Sequence, residues 1–173
     1  VRLLGLDHWA AIVALSVFAF NQNMLFMQSL PMTESLLLFT SLGAVYFFTL
    51  WVRTYTLPSL ILCGIMTFLS MMTRYDGWFL FIAISVSIAI LSLITLNRKK
   101  AESNFIIYIT LGIFAIILWV GWNWIIFGDP LYFINGIYSA KSQQDVLFSE
   151  GRLFTKHNLG FSAWTYILAV KEN

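Results

Sequence analysis

Three short stretches of this chain hold residue types that can do chemistry. The first is a polar stretch over residues 21–34, broken by Pro31 and closed by Met32-Thr33-Glu34. The second is Thr73-Arg74-Tyr75-Asp76-Gly77-Trp78, which carries both charge signs within a few residues. The third runs over residues 119–133, with Asn123 inside an apolar run and Gly128-Asp129-Pro130 after it. A carboxylate such as Glu34 or Asp76 can take a proton or orient a hydroxyl group. The planar guanidinium of Arg74 matches the oxygens of a phosphate. An amide such as Asn123 within an apolar run usually faces a partner or a cavity.

Each stretch also has a purely structural reading. Thr33 is placed to be an N-cap, with Glu34 favourable in the first turn beside the helix dipole. Arg74 and Asp76 can close a hairpin as a surface ion pair, with Asp76-Gly77 as its tight turn. Trp119, Trp122 and Trp124 suit an aromatic belt at the headgroup level, and Gly128-Asp129-Pro130 a helix stop. His157 beside Lys156 and Asn158 could act as a base or ligand. The other histidine, His8, falls on the opposite face, so a histidine metal site is not expected. Nucleophilic triads, glycine-rich phosphate loops and zinc spacings are absent.

The elements that must position these residues are apolar. The 173 residues are 60% hydrophobic and 10% charged, with a mean hydropathy of +0.81; a soluble domain carries about a quarter charged residues. Membrane is therefore the expected class. The net charge of +2 is small and its basic residues are scattered, which sets nucleic acid aside as a partner. Cys63 is the single cysteine and lies in an apolar run, so it forms neither an intrachain disulfide nor a cysteine metal site.

Crossing roughly 30 Å of hydrocarbon takes about 20 helical residues. Runs at 35–52, 57–73, 78–96 and 105–127 meet or approach that length. A shorter run at 9–20 spans only by borrowing turns from 3–8 or 21–28. The connections are then 21–34, 53–56, 74–77, 97–104 and a long polar stretch over 128–160. No cleavable signal peptide, internal repeat or second soluble domain is visible.

Alternating sides places Arg2, Arg53, Arg98, Lys99 and Lys100 on one face and Arg74, Lys141, Arg152 and Lys156 on the other. The compact 98–100 cluster in a short loop assigns its face to the cytoplasm by the positive-inside bias. Five of the eight acids, Glu34, Asp76, Asp129, Asp145 and Glu150, then lie outside the cytoplasm. The expected fold is an all-α integral membrane bundle of about five transmembrane helices. A sixth is cut short after 161–170, and an extracytoplasmic loop region covers 128–160. The whole chain is expected to be a single transmembrane domain and a fragment of a larger module.

The ordered series of the segment 23–34, Arg74-Tyr75-Asp76-Gly77-Trp78, and Trp122-Asn123 with Gly128-Asp129-Pro130-Leu131-Tyr132-Phe133 resembles the multi-pass glycosyltransferases of the GT-C class. The resemblance lies near the protein mannosyltransferase and aminoarabinose transferase-like group. The resemblance covers about residues 3–160, and its most specific element is Pro31-Met32-Thr33-Glu34 opening a span. It implies transfer of a sugar from a polyprenyl-phosphate donor to a glycan, lipid or protein acceptor at the extracytoplasmic face of the plasma membrane. Such enzymes place their catalytic carboxylate in a first extracytoplasmic loop, and no acidic loop of that kind precedes residue 21. The catalytic residue is therefore expected upstream of Val1.

On the same resemblance Arg74 is expected to contact phosphate or headgroup. Glu34 and Asp76 are expected to contact or orient the sugar, Tyr75 to belong to the substrate-binding residues, and Asn123 and Asp129 to line the cavity. No cofactor is implied, and dependence on a divalent metal is left open. A transporter or lipid flippase is the alternative, which would show ionisable residues within spans; a non-catalytic membrane scaffold is another.

Overall fold

The computed structural model describes residues 5, 7–29, 33–137, 139–152 and 159–172. Among these residues every regular element is an α-helix: α1 (His8–Ala19), α2 (Gln22–Ser29), α3 (Glu34–Thr54), α4 (Leu57–Thr73), α5 (Gly77–Thr95), α6 (Arg98–Phe127), α7 (Tyr132–Asn135), α8 (Ala140–Ser149) and α9 (Leu159–Glu172). The chain divides into two compact units, Val1–Leu118 and Trp119–Asn173.

Among the described residues three helices are long and apolar enough to cross a membrane: α3, α5 and α6, of 21, 19 and 30 residues. The run at 9–20 does not extend into a longer span through 21–28. Asp7 accepts a hydrogen bond from the His8 amide at one end. At the other, Asn21 turns its Oδ1 to the Met24 N–H at 3.1 Å. That contact caps a new helix, so α1 stops at 12 residues, or about 18 Å, and α2 starts separately.

The expected connection at 97–104 shrinks to Leu96 and Asn97, because α6 begins at Arg98. The charged residues there are good helix formers, and Arg98 Nε donates to Glu102 Oε1 one turn on at 3.0 Å. Similarly, the polar stretch at 128–160 contains α7 and α8.

In the first unit α4 runs back along α3. The register is marked by the hydroxyls of Ser41 and Ser70, 3.0 Å apart, and by the ion pair of Glu34 with Arg74. The chain turns between these helices at Tyr55, whose left-handed backbone (φ 49°) ends α3. Its 17 residues make α4 about 26 Å long, shorter than α3.

The interior joins apolar side chains, among them Trp51, Leu60, Met71, Ile88 and Tyr108, to a set of small hydroxyl residues. Thr40, Ser59, Thr67, Ser70, Ser85 and Ser92 are all buried. Most of their bonds return to the same helix: Thr67 donates to the Cys63 carbonyl at 2.9 Å and Ser85 to the Phe81 carbonyl at 2.7 Å. Small groups let the helices approach; the Phe81 ring sits over Gly112, where any Cβ would lie 2.0 Å from it.

The outer surface is the reverse, with Phe39, Leu42 and Val45 of α3, Phe79, Ile82, Val86 and Ile90 of α5, and Ile106, Ile113 and Ile117 of α6 all exposed. In water such a surface would drive aggregation, whereas hydroxyls inside and hydrocarbon outside suit helices packed in lipid. The chain is thus compatible with a membrane protein.

Tyr108 donates to Thr67 Oγ1 at 3.0 Å between α6 and α4, which gives an asymmetric prediction. Thr67→Val removes the acceptor and leaves a buried phenol unpaired, so it should cost about 1–2 kcal/mol. Tyr108→Phe removes only the donor, and Thr67 keeps its bond to Cys63, so that cost should stay below about 1 kcal/mol. Denaturation in mixed micelles checks the order; equal costs would contradict it.

Candidate functional site

The chemistry-bearing residues of the first unit gather where α3 begins and α4 gives way to α5. Glu34 is the first residue of α3. Thr33 stands at the expected N-cap position, but its side chain makes no cap bond. The Glu34 carboxylate turns instead to Arg74, accepting from Nη1 on Oε1.

Arg74 caps the end of α4 in extended conformation (φ −155°, ψ 151°), its amide held by the Ser70 carbonyl at 3.2 Å. The next residues wind directly into α5, with the Gly77, Trp78 and Phe79 amides donating to the Arg74, Tyr75 and Asp76 carbonyls. Gly77 is required here. A Cβ on it would lie 2.6 Å from the backbone carbon of Ser70, so only glycine lets the start of α5 rest on the end of α4. This tight turn brings the Asp76 carboxylate to Arg74, with Nε to Oδ2 at 2.9 Å. Asp76 makes no cap bond to α5; its carboxylate serves the ion pair.

The result is a guanidinium held between two carboxylates from segments 40 residues apart. The expected Arg74–Asp76 pair is present, and Glu34 joins it. The three side chains are 32%, 31% and 43% exposed for Arg74, Glu34 and Asp76, so solvent reaches the cluster and weakens each pairing. Formal charge sums to minus one. Three of the five N–H groups of Arg74 have no partner among the described residues. Glu34 Oε2 is buried without a hydrogen-bond partner among them. The cluster thus keeps both free donors and a buried acceptor. Tyr75 lies in the turn, 38% exposed.

Ser35 is a residue that the sequence reading passed over. Its Oγ is buried without a partner among the described residues. It lines a cleft of about 240 Å³ with Phe18, Met24, Leu38, Phe39 and Leu42. The signal available was its place directly after Glu34, but serine is common at helix starts.

In the second unit Asn123 is buried, and its Nδ2 donates to the Trp119 carbonyl of its own helix at 2.8 Å. Gly128 ends α6 with φ +71°. Asp129 Oδ1 then accepts from the Leu131 amide at 2.9 Å, the local turn that aspartate favours before a proline. The rings of Phe127 and Tyr132 stack across this turn at 4.0 Å. Both polar residues therefore have structural roles within their own unit. Pro31, Met32, Lys156, His157 and Asn158 lie outside the described residues. Among the described residues no three His, Cys, Asp or Glu side chains gather as a metal site would require. No known protein family, curated protein or solved structure matches this chain.

Proposed function

We propose that this chain is the membrane-embedded part of a glycosyltransferase that moves a sugar from a polyprenyl-phosphate carrier to a glycan, lipid or protein acceptor. The reaction face would be the extracytoplasmic side of the plasma membrane. One observation carries the reading: Glu34 and the pair Arg74 and Asp76, from two of the three segments that resemble GT-C enzymes, meet in one ion-pair cluster. Two features add support. Glu34 Oε2 is a buried acceptor in need of a donor, and an apolar cleft opens beside the next residue, Ser35, as an isoprenoid chain would require.

The charge of the cluster revises the division of labour among its residues. At an effective dielectric of about 20, each unit charge ~5 Å from a phosphate contributes ~3 kcal/mol. At equal distances two carboxylates outweigh one guanidinium, so the cluster favours the sugar over the phosphate. Arg74 on this reading is a positioning residue: it fixes two carboxylates and offers its outer N–H groups to sugar hydroxyls. The sugar leaves the carrier phosphate through an oxocarbenium-like state, and the acceptor hydroxyl forms the new bond as it gives its proton to a carboxylate. The negative cluster favours that positive charge.

The test expresses the protein in its full reading frame and supplies membranes with a radiolabelled polyprenyl-phosphate sugar. Glu34→Gln keeps the shape and removes the charge. Transfer should fall about tenfold or more at unchanged protein level. Full transfer by Glu34→Gln would remove Glu34 from the site, and no transfer by the wild type from any common carrier would overturn the reading.

A further inference from the structure

The far ends of α5 and α6 hold a second cleft that the glycosyltransferase reading does not use. These helices form an antiparallel hairpin through Leu96 and Asn97, closely packed where Phe81 covers Gly112 and open near the turn. There Ala89, Leu93, Ala101, Glu102 and Phe105 line a cleft of about 220 Å³. Ala89 and Ala101 contribute only small side chains to this part of the hairpin. All its lining residues but Glu102 are apolar, and the Glu102 Oε1 is taken by Arg98 Nε at 3.0 Å. Ile90, Ile94 and Ile106 are exposed around it.

Arg98, Lys99 and Lys100 occupy the first turn of α6, all exposed and with no acid in that turn. Lys99 and Lys100 have no ion-pair partner among the described residues. Three cations lie at the positive pole of the helix dipole, where positive charge destabilises the helix and an anion would relieve it. From Arg98 to Phe105 the helix rises only about 10 Å, so an anionic group at the lysines lies within one lipid molecule's reach of the apolar cleft.

We infer that this cleft binds an anionic glycerophospholipid, with an acyl chain over Ala89, Ala101 and Phe105 and the headgroup phosphate against Lys99 and Lys100. Charge complementarity selects the occupant: a zwitterionic lipid would fill the cleft equally well but would leave the lysines and the helix pole without a net counter-charge. A soluble anion would meet the lysines and leave the cleft empty.

Native mass spectrometry of the detergent-released full-length protein, mixed with equal amounts of phosphatidylglycerol and phosphatidylcholine of identical chains, tests this. Bound phosphatidylglycerol should exceed phosphatidylcholine about tenfold, as expected for two lysines near a lipid phosphate. Lys99→Gln with Lys100→Gln, both on the surface, should bring the ratio near one. Ala101→Leu, which fills the cleft, should lower bound phosphatidylglycerol with the lysines intact. Glycerophosphoglycerol, the headgroup without chains, should not compete. Equal binding of the two lipids, or a preference that survives loss of both lysines, would overturn the inference. Full competition by the headgroup alone would overturn it too, replacing a lipid site with one for soluble anions.

Discussion

Gly77→Ala is expected to lower the melting temperature of the detergent-solubilised protein by several degrees and to abolish sugar transfer. The added methyl would lie 2.6–2.7 Å from the backbone of Ser70 and Met71. Those are backbone atoms, so no side-chain rotation relieves the clash, and α5 must move off the end of α4. Overpacking of this kind costs about 1–3 kcal/mol. The movement also carries Asp76 away from Arg74, because Gly77 follows Asp76 directly and the turn has no slack between their hydrogen-bonded carbonyls. Gly121→Ala is the control. Nothing lies within 4 Å of a Cβ there, and alanine in a helix interior gains about 0.5–1 kcal/mol over glycine. Thermal unfolding of the two variants side by side decides the matter; a Gly77→Ala protein as stable as Gly121→Ala would refute the close-approach argument.

Arg74→Ala should be the most damaging change to the cluster itself. It leaves Glu34 and Asp76 without the cation that holds them, and the Glu34 carboxylate is already short of one partner. Removing one member of a fully buried pair costs about 3–5 kcal/mol. With about a third of each side chain exposed, roughly 1–2 kcal/mol is expected after screening. Arg74→Lys keeps the charge but cannot bridge both carboxylates with a planar fork, so it should restore part of the stability and little of the transfer. A double-mutant cycle over Glu34→Gln and Arg74→Gln should give a coupling near 1 kcal/mol. Additive effects of the two changes would mean that the pair contributes nothing.

The apolar spans were legible because hydrocarbon thickness demands a run of fixed length, and α3, α5 and the apolar part of α6 satisfy it directly. The ends were less legible, since hydropathy marks where lipid stops and not where a helix stops. Arg98 to Glu102 read as a loop because they are charged, yet they form helix through an i,i+4 pair. Conversely, the run at 9–20 reads as able to borrow turns from 21–28 because hydropathy does not register that the Asn21 side chain caps a new helix. The membership of the site was visible in residue types: Glu34, Arg74 and Asp76 were each singled out. The arrival of Glu34 at the expected Arg74–Asp76 pair was not, because it depends on the antiparallel register of α3 and α4, which Ser41 and Ser70 record in the fold.

The hydroxyls of the bundle interior have a consequence for biogenesis. Thr40 and Ser85 bond within α3 and α5, two of the helices long and apolar enough to cross a membrane, so a bilayer would receive these polar groups already satisfied. Cross-helix bonds such as Ser41 to Ser70 form only when neighbours meet. Insertion and assembly can therefore proceed as separate stages. The Glu34 and Arg74 pair likewise needs both α3 and α4 in place.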